Sequence, residues 1–274
     1  RAGHDVEVTA RGEHLAAIRQ RGLKLSGAWG EYTADVDAEE TLTRGPELVI
    51  VATKAQDAVA AIRENLALLR GVPVVVVQNG LDSLDNAQAA SPRSDIVGAL
   101  ASFAASYLSP GEVTVTTVGP TYLGMAGHND LPARYAARIL AEAIPTTVIP
   151  NFVGAQWTKL VINQVNALPA ITGLSVQDVI ANSRLRLIMT ASMRACVRTG
   201  FANRVHFEKL QGLGNRGLRL FSLMPLWVGQ LLPALMRARV GRTPNPGSTL
   251  QFFNGAETTE IDHLNGAVVR VAES

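Results

Sequence analysis

The sequence predicts an α/β domain with a doubly wound sheet over residues 1–150, followed by an all-helical domain over residues 151–274. Two continuous apolar runs, Glu47–Thr53 and Val72–Val77, have the composition of strands buried on both faces, which is typical of parallel sheets. The segment between them, Gln56–Leu69, has helical periodicity, and strands that alternate with helices indicate βαβ units. Pro150 and Asn151 mark the domain boundary, because the pattern beyond them is helical.

The other elements of the first domain are short and are bounded by turn residues. Strands are predicted at Val6–Ala10, Glu112–Thr117, Tyr122–Gly124 and Thr146–Ile149, and helices at His14–Gln20 and Pro132–Ala143. The strand at Glu112–Thr117 is expected to pair with Tyr122–Gly124, which would make an antiparallel addition to the sheet.

In the second domain, Val176–Gly200 is predicted to be one long helix and Val205–Leu213 a shorter one. The segment Leu218–Met236 is the most apolar, but Arg219 and two prolines interrupt it. Its fully apolar part is shorter than the ~20 residues that a membrane span needs. We expect buried helical or loop packing here, so a membrane partner is disfavoured.

The composition describes a protein with a large core and no polyanionic partner. Of the 274 residues, 47% are hydrophobic and 18% are charged, and the net charge is +2 without a basic block. Nucleic-acid binding is therefore not expected. The single cysteine, Cys196, can form no internal disulfide and no cysteine-based metal site, and it fits a reducing cytoplasm. Cys196 is expected to be a buried small hydrophobe.

The most informative stretch is Trp157–Gly173, in which three polar side chains recur at helical spacing. Lys159, Asn163 and Asn166 stand at i, i+4 and i+7, and the residues between them are apolar. A buried amine and two buried carboxamides need hydrogen-bonding partners, which a substrate with a carbonyl and hydroxyls would supply. The alternative is a lysine that extends to solvent and asparagines that bond neighbouring loops.

Polar donors also follow three of the predicted strands. Arg11, Lys54 and Asn79 each come shortly after a strand, where the carboxyl ends of a doubly wound sheet bind ligands. A cofactor that carries phosphate would suit these side chains. Solvated cations and an ordinary Asn-Gly turn are the alternatives.

These motifs, taken in order, resemble the ketopantoate reductase family, the NADP-dependent 2-dehydropantoate 2-reductases. The resemblance extends over the whole chain and is carried by Ala2–Gly12, Val51–Lys54, Gln78–Gly80, Trp157–Gly173 and Thr259–Gly266. It implies a Rossmann-like first domain, NADP as the cofactor, and a small 2-keto acid, ketopantoate, as the substrate. The product would be pantoate, a precursor of pantothenate and coenzyme A.

The resemblance also implies roles for residues of the cofactor site. Arg11 follows the second strand of the family's nucleotide fold, where an arginine accommodates the 2′-phosphate of NADP. Lys54 and Asn79 resemble the family's contacts in the cofactor and active-site cleft.

Further roles are implied in the helical domain. Lys159 resembles the catalytic lysine, and Glu260 the glutamate that partners it. Asn163 and Asn166 resemble the substrate-binding pair, although many members space that pair by four residues and this chain by three. Ser248 resembles the substrate serine, but Phe252 replaces the aspartate that usually follows it by four.

The family begins with a strand and a GxGxxG loop that holds the pyrophosphate, whereas this sequence starts after them and stops inside a helical pattern. We therefore expect a fragment of a longer protein, in which Arg1–Ser274 expressed alone binds NADPH negligibly and binding recovers when the native N-terminal segment is added. Three alternatives remain open: a reductase of another small 2-keto acid, a non-catalytic nucleotide-binding relative, and membrane association through Leu218–Met236. A homodimer is a further expectation.

Overall fold

The computed structural model describes residues 3–127, 129–237 and 259–274. The chain divides into two compact units, Arg1–Gln78 with Ser83–Pro150 and Asn79–Asp82 with Asn151–Ser274. The first unit is α/β and the second is helical, which confirms the predicted fold class. The second unit thus includes Asn79–Asp82, four residues that lie in sequence between a strand and a helix of the first unit.

Within the described residues, the strands of the first unit form three sheets. They are β1 (Glu7–Thr9), β2 (Leu23–Gly27), β3 (Tyr32–Ala34), β4 (Asp37–Glu39), β5 (Val49–Val51), β6 (Pro73–Val77), β7 (Asp95–Ala101), β8 (Ala104–Ser109), β9 (Glu112–Thr117), β10 (Thr121–Gly124) and β11 (Thr146–Val148). The main sheet has the order β11-β10-β7-β6-β5, a second has the order β3-β2-β9-β8, and β1 pairs with β4. The helices of this unit are α1 (Gly12–Arg21), α2 (Ala55–Glu64), α3 (Ser83–Ala90) and α4 (Leu131–Leu140).

Strand β6 explains why the valine run is continuous. It pairs in parallel with β5 on one side and with β7 on the other. Val75 packs in a cluster with Ala133 and Ala136 of α4, whereas Val74 and Val76 point to the opposite face because successive strand residues alternate. All three valines are buried, so both faces of the strand are covered, as a doubly wound sheet requires.

One predicted pairing is wrong. Strand β10 does not pair with β9 but lies in the main sheet, antiparallel to β7 and parallel to β11. Strand β9 instead pairs with β2 and β8. The reason is burial, because Leu123 of β10 is fully buried in the core of the main sheet, whereas β9 buries only Val115.

The second unit packs its helices around one apolar core. These helices are α5 (Phe152–Asn163), α6 (Ala167–Thr172), α7 (Val176–Ala181), α8 (Ser183–Ala202), α9 (Asn215–Leu223), α10 (Leu226–Gly229), α11 (Leu231–Arg237) and α12 (Ile261–Glu273). The core includes Trp157 and Leu160 of α5, Met193 of α8 and Leu264 of α12. Cys196 is buried in the same core, which confirms its predicted packing.

Two helix predictions in this unit need correction. The segment Val176–Gly200 is not one helix, because Asn182 separates α7 from α8 and its side-chain oxygen accepts the backbone N–H groups of Arg184 and Leu185. The segment Val205–Leu213 is irregular and ends in a turn in which Gln211 and Gly212 have positive φ, which stops a helix there.

The apolar segment Leu218–Met236 is not uniformly buried, contrary to expectation. It forms α9, α10 and α11, and Leu218 and Phe221 point into the core. Leu223 and Trp227, however, are 74% and 75% exposed, and Leu231 and Leu235 are also exposed. Within the three described ranges, no helix has the length and apolar character needed to cross a membrane.

Candidate active site

Helix α5 places Lys159 in an environment that lowers its pKa. Asn151 caps the helix by accepting the backbone N–H of Gly154, and the apolar residues of α5 hold it in the core. The Lys159 side chain is partly buried, and desolvation lowers its pKa from 10.5 to about 8. The Glu260 carboxylate, which is buried at the start of α12, opposes this effect by attracting the ammonium charge. The structure therefore brings together these two predicted residues.

Asn79 and Asn163, two more of the predicted residues, are in contact. The Nδ2 of Asn163 donates to the Oδ1 of Asn79 at 3.4 Å. Gln156 lies two turns before Asn163 on the same face of α5, and its Nε2 donates to the carbonyl oxygen of Gly80 at 3.2 Å. The segment Asn79–Asp82 therefore runs along the helix face that carries the predicted site.

That segment is also fixed to α12. Gly80 has a φ of +96°, and a Cβ atom there would lie 2.5 Å from the carbonyl oxygen of His263. Asp82 accepts a hydrogen bond of 2.8 Å from Arg270. Because α12 begins directly after Glu260, the same short segment contacts both helices that bring Lys159 and Glu260 together.

The predicted helix over Trp157–Gly173 is interrupted. Helix α5 ends at Asn163, a 3₁₀ turn spans Gln164–Asn166, and α6 follows. The cause is Pro169, which has no N–H to donate to the carbonyl of Val165 and is tolerated only in the first turn of a new helix. Because a 3₁₀ turn advances about 120° per residue and an α-helix about 100°, residues i and i+3 are eclipsed only in the 3₁₀ turn. This geometry puts Asn166 over Asn163 despite their spacing of three.

Arg11 and Lys54 lie in the first unit and are not close together. Lys54 precedes the N-terminus of α2, whereas the guanidinium of Arg11 forms an ion pair with Glu64, the last residue of α2. A helix of ten residues is about 15 Å long, so the two cations mark opposite ends of α2. Such a separation suits an extended dinucleotide that carries phosphate groups along its length.

The chemistry of these two positions fits a dinucleotide. Arg11 and Lys54 are the N-cap residues of α1 and α2, and neither side chain caps its helix. The first N–H groups of both helices therefore receive no side-chain cap from these residues, and each helix begins directly after a cationic residue. Helix N-termini and cations both favour phosphate. Ser248 lies outside the described residues. No cluster of three metal-ligating side chains occurs in the part of the chain that the structure describes.

Sequence reasoning missed Gln156, Gln164 and Asn265. Gln164 is 3% exposed, and its side chain bonds Leu160, Ser192 and Asn265. The available signal was the glutamine itself, a polar residue inside the run Leu160–Leu168 that does not share the spacing of Lys159 and Asn163. Its partners on α8 and α12 are too distant in sequence to be read from a pattern.

The first unit is Rossmann-like, and the helical unit holds a lysine of lowered pKa beside a buried carboxylate, a combination that is typical of oxidoreductases. Residues 1–128 match the family described as Ketopantoate reductase PanE/ApbA, and residues 151–274 match its C-terminal family. The chain therefore belongs to the ketopantoate reductase family.

Individual relatives agree with this family. A 2-dehydropantoate 2-reductase from Pyrococcus horikoshii is 24% identical over 274 residues, which are 99% of this chain and 84% of that protein. The same enzyme from Archaeoglobus fulgidus is 24% identical over 278 residues, with 99% and 84% coverage. The crystal structure of a PanE/ApbA family ketopantoate reductase from Ralstonia eutropha has a TM-score of 0.80 at 26% identity, and 99% of this chain and 85% of that chain are covered.

The fold extends to a second kind of oxidoreductase. A D-mandelate dehydrogenase solved with NADH and anilino(oxo)acetate has a TM-score of 0.84 at 18% identity, with 99% of this chain and 85% of that chain covered. At this identity the likeness shows a shared fold and does not carry substrate or cofactor choice to this chain.

Proposed function

We propose that this protein reduces 2-dehydropantoate (ketopantoate) to pantoate with NADPH, in the cytoplasmic pathway toward pantothenate and coenzyme A. In this proposal residues 1–150 form the NADP-binding domain and residues 151–274 the substrate-binding and catalytic domain. The observation that carries it is Lys159, whose pKa is lowered to about 8 beside Glu260 and on the same helix as Asn163. Membership of the ketopantoate reductase family supports it.

The chemistry assigns Lys159 the role of proton donor. Reduction of a 2-keto acid needs a hydride at the carbonyl carbon and a proton at the carbonyl oxygen. A bound NADPH supplies the hydride. Lys159 then donates an Nζ proton to the oxygen as the C=O π bond breaks, and it recovers a proton from solvent. With a pKa of about 8 it is mostly protonated at pH 7, yet it is a stronger acid than an ordinary lysine. The carboxylate of Glu260 favours the charged form.

Substrate binding is assigned to the amides on the same helical segment. Asn163 and Asn166 can donate N–H groups to the keto acid's carboxylate, and the 3₁₀ turn that eclipses them supports a joint role. Ser248 is assigned the third contact on the family resemblance. Glu260 can accept a hydrogen bond from the substrate hydroxyl.

Cofactor choice is assigned to Arg11. Its side chain is 67% exposed, and a 2′-phosphate would engage the guanidinium in competition with the carboxylate of Glu64. Lys54, at the other end of α2, and Asn79 are assigned to the remaining cofactor contacts.

Proton donation by Lys159 is tested by pH profiles in both directions. The kcat/KM for keto acid reduction should fall as pH rises through about 8, because the lysine of the free enzyme loses its proton, whereas the kcat/KM for pantoate oxidation should rise over the same range. Lys159→Ala should lower kcat by at least ~100-fold with little change in cofactor affinity, and both pH limbs should vanish. Lys209→Ala, an exposed lysine in the same unit, is the control. Near-normal kcat in Lys159→Ala would remove the lysine from the mechanism.

The substrate is tested by comparing kcat/KM across a panel of acids. The panel includes ketopantoate, other branched 2-keto acids and an aromatic 2-keto acid, the last because the D-mandelate dehydrogenase shares the fold. A preference for ketopantoate is expected. A higher kcat/KM for another acid would show that ketopantoate is not the preferred substrate, while the proposed reaction, reduction of a 2-keto acid, would stand.

Arg11→Ala should weaken NADPH binding by about 1.5–3 kcal/mol and leave NADH binding nearly unchanged, because only NADPH carries the 2′-phosphate. Arg134→Ala is a matched control, since Arg134 is also 67% exposed and also paired with a carboxylate, Asp130. Fluorescence titration with both cofactors measures the effect. Equal losses for NADPH and NADH would show that Arg11 does not select the cofactor.

We also retain the homodimer as a prediction. The exposed Leu223, Trp227 and Leu231 supply the apolar surface that an interface between copies would cover.

A further inference from the structure

The side chain of Gln164 joins three helices of the second unit. Its Nε2 donates to the carbonyl oxygen of Leu160 on α5 at 3.2 Å. Its Oε1 accepts the hydroxyl of Ser192 on α8 and the Nδ2 of Asn265 on α12, both at 2.8 Å. With 3% exposure, this amide has both ends occupied inside the core. A buried acceptor shared by two donors fixes the helices that carry them.

The two helices joined by Gln164 and Asn265 are the ones that carry Lys159 and Glu260. Gln164 lies five residues after Lys159, and Asn265 lies five residues after Glu260. Five residues of helix rise about 7.5 Å. The same two elements are thus connected at two levels, once by the attraction of Lys159 to Glu260 and once by the pair of amides. A single contact would allow α12 to rotate relative to α5, whereas two contacts fix the register between the two helices.

The orientation of Asn265 is consistent with this role. Its Oδ1 is buried and has no hydrogen-bond partner among the described residues, whereas its Nδ2 bonds Gln164. A buried amide oxygen without a partner is unfavourable. The side chain nevertheless keeps this orientation, so the contact with Gln164 determines where it points.

Gln164 also begins the 3₁₀ turn between Asn163 and Asn166. At such a joint between two short helices, the backbone alone fixes direction less firmly than an uninterrupted helix does. The bonds to Ser192 and Asn265 hold the joint from two sides.

We propose that Gln164 is a positioning residue, whose amide, bonded to Ser192 and Asn265, keeps Lys159 in register with Glu260 and Asn163 under Asn166. This inference rests on the proposed function, in which those residues bind and protonate the substrate. Gln164 would act on them through the backbone, since its buried amide bonds Leu160, Ser192 and Asn265.

The first test is a double-variant cycle on kcat. Gln164→Leu, which removes the amide but keeps an apolar side chain out to the Cδ position, should lower kcat by about 10–100-fold, the range for a small misplacement of reacting groups, and leave KM for NADPH unchanged. In a Glu260→Gln background, Gln164→Leu should lower kcat by a factor at least threefold smaller than in the wild type, because the pairing of Lys159 with Glu260 is already lost there. Equal effects in both backgrounds would overturn the proposal, since a purely structural role gives additive losses.

Thr158→Ala is the matched control. Thr158 is buried on the same helix, and its hydroxyl donates to the carbonyl of Glu208 at 2.7 Å, away from the amide network. It should lower the melting temperature but not kcat in the folded protein. If Gln164→Leu does not fold, Ser192→Ala and Asn265→Ala take its place in the double-variant cycle, because each removes one donor to Gln164. The same loss of kcat, and the same smaller loss in the Glu260→Gln background, are expected.

A measurement without turnover separates this proposal from the proposed function. An amine-reactive reagent can be used to modify Lys159, and peptide mass spectrometry at several pH values gives the rate of modification. Relative to the wild type, this rate should change at least threefold in Gln164→Leu and Asn265→Ala and stay constant in Thr158→Ala. An unchanged profile in all three folded variants would overturn the positioning role, even where the wild type reduces ketopantoate. A changed profile in a protein that reduces no 2-keto acid would keep the positioning role and reject only the proposed function.

Discussion

Replacing Lys159 with methionine should stabilise the fold at neutral pH while it removes activity. Desolvation lowers the pKa of this lysine from 10.5 to about 8, so the folded state resists its charged form. At about 1.4 kcal/mol per pH unit, the displacement corresponds to about 3 kcal/mol. Because the side chain is partly exposed, solvent screening reduces the expected gain to about 1–3 kcal/mol.

The gain should depend on pH with a definite sign. Below pH 8 the lysine is protonated in both the folded and the unfolded state, so the full cost of its buried charge falls on the wild type. Between pH 8 and 10.5 the unfolded state binds more protons than the folded state, so the stability of the wild type rises with pH. The advantage of Lys159→Met should therefore be largest at pH 7 and shrink toward pH 10.5.

Urea titrations at several pH values measure the effect. They are best made in a Glu260→Gln background, because loss of the lysine would otherwise leave the buried carboxylate without its opposite charge. Lys209→Met, an exposed lysine of the same unit, should show no such trend. A stability difference for Lys159→Met that is zero, or that grows from pH 8 to pH 10.5, would refute the reasoning.

Two further predictions concern packing. Gly80→Ala should destabilise the protein by about 1–3 kcal/mol, because the new Cβ meets the carbonyl of His263 at 2.5 Å in a backbone with φ of +96°. In urea titrations it should lose more stability than Gly71→Ala, which has a φ of +74° but no atom within 4 Å; equal losses would place the whole cost in the backbone angle. Burial raises the pKa of the Cys196 thiol to about 12, so a thiol reagent at pH 8 should label it only at the rate of unfolding, and rapid labelling of the native protein would contradict that burial.

The sequence predicts the structure correctly where the burial of a single strand or helix is visible in its own residue pattern. The valine run of β6 is apolar without alternation because both its faces are buried, and that is visible in the residues alone. The helical spacing of Lys159 and Asn163 likewise identified a face that the structure brings to Asn79. Their catalytic and binding roles stay predictions.

What could not be predicted depends on partners that are distant in sequence. Arg11 and Lys54 both follow strands, and nothing in that pattern says that α2 lies between them. Strand β10 has the composition to pair with β9, but the core above β7 offers more burial for Leu123. The role of Gln164 depends on residues 28 and 101 positions away, on helices whose packing no local pattern encodes.

The segment Asn79–Asp82 has a consequence for how this chain can be dissected. It follows β6 directly in sequence, yet its contacts are with Gln156, His263 and Arg270 of the helical unit. During synthesis this segment emerges about seventy residues before α5, so its contacts with the helical unit can form only after the strands on either side of it have been made. A fragment that starts at Asn151 would lack four residues of its own unit, and one that stops at Pro150 would carry those four residues without Gln156, His263 and Arg270. The two units are therefore poor candidates for separate expression, although the sequence pattern suggests a clean cut between them.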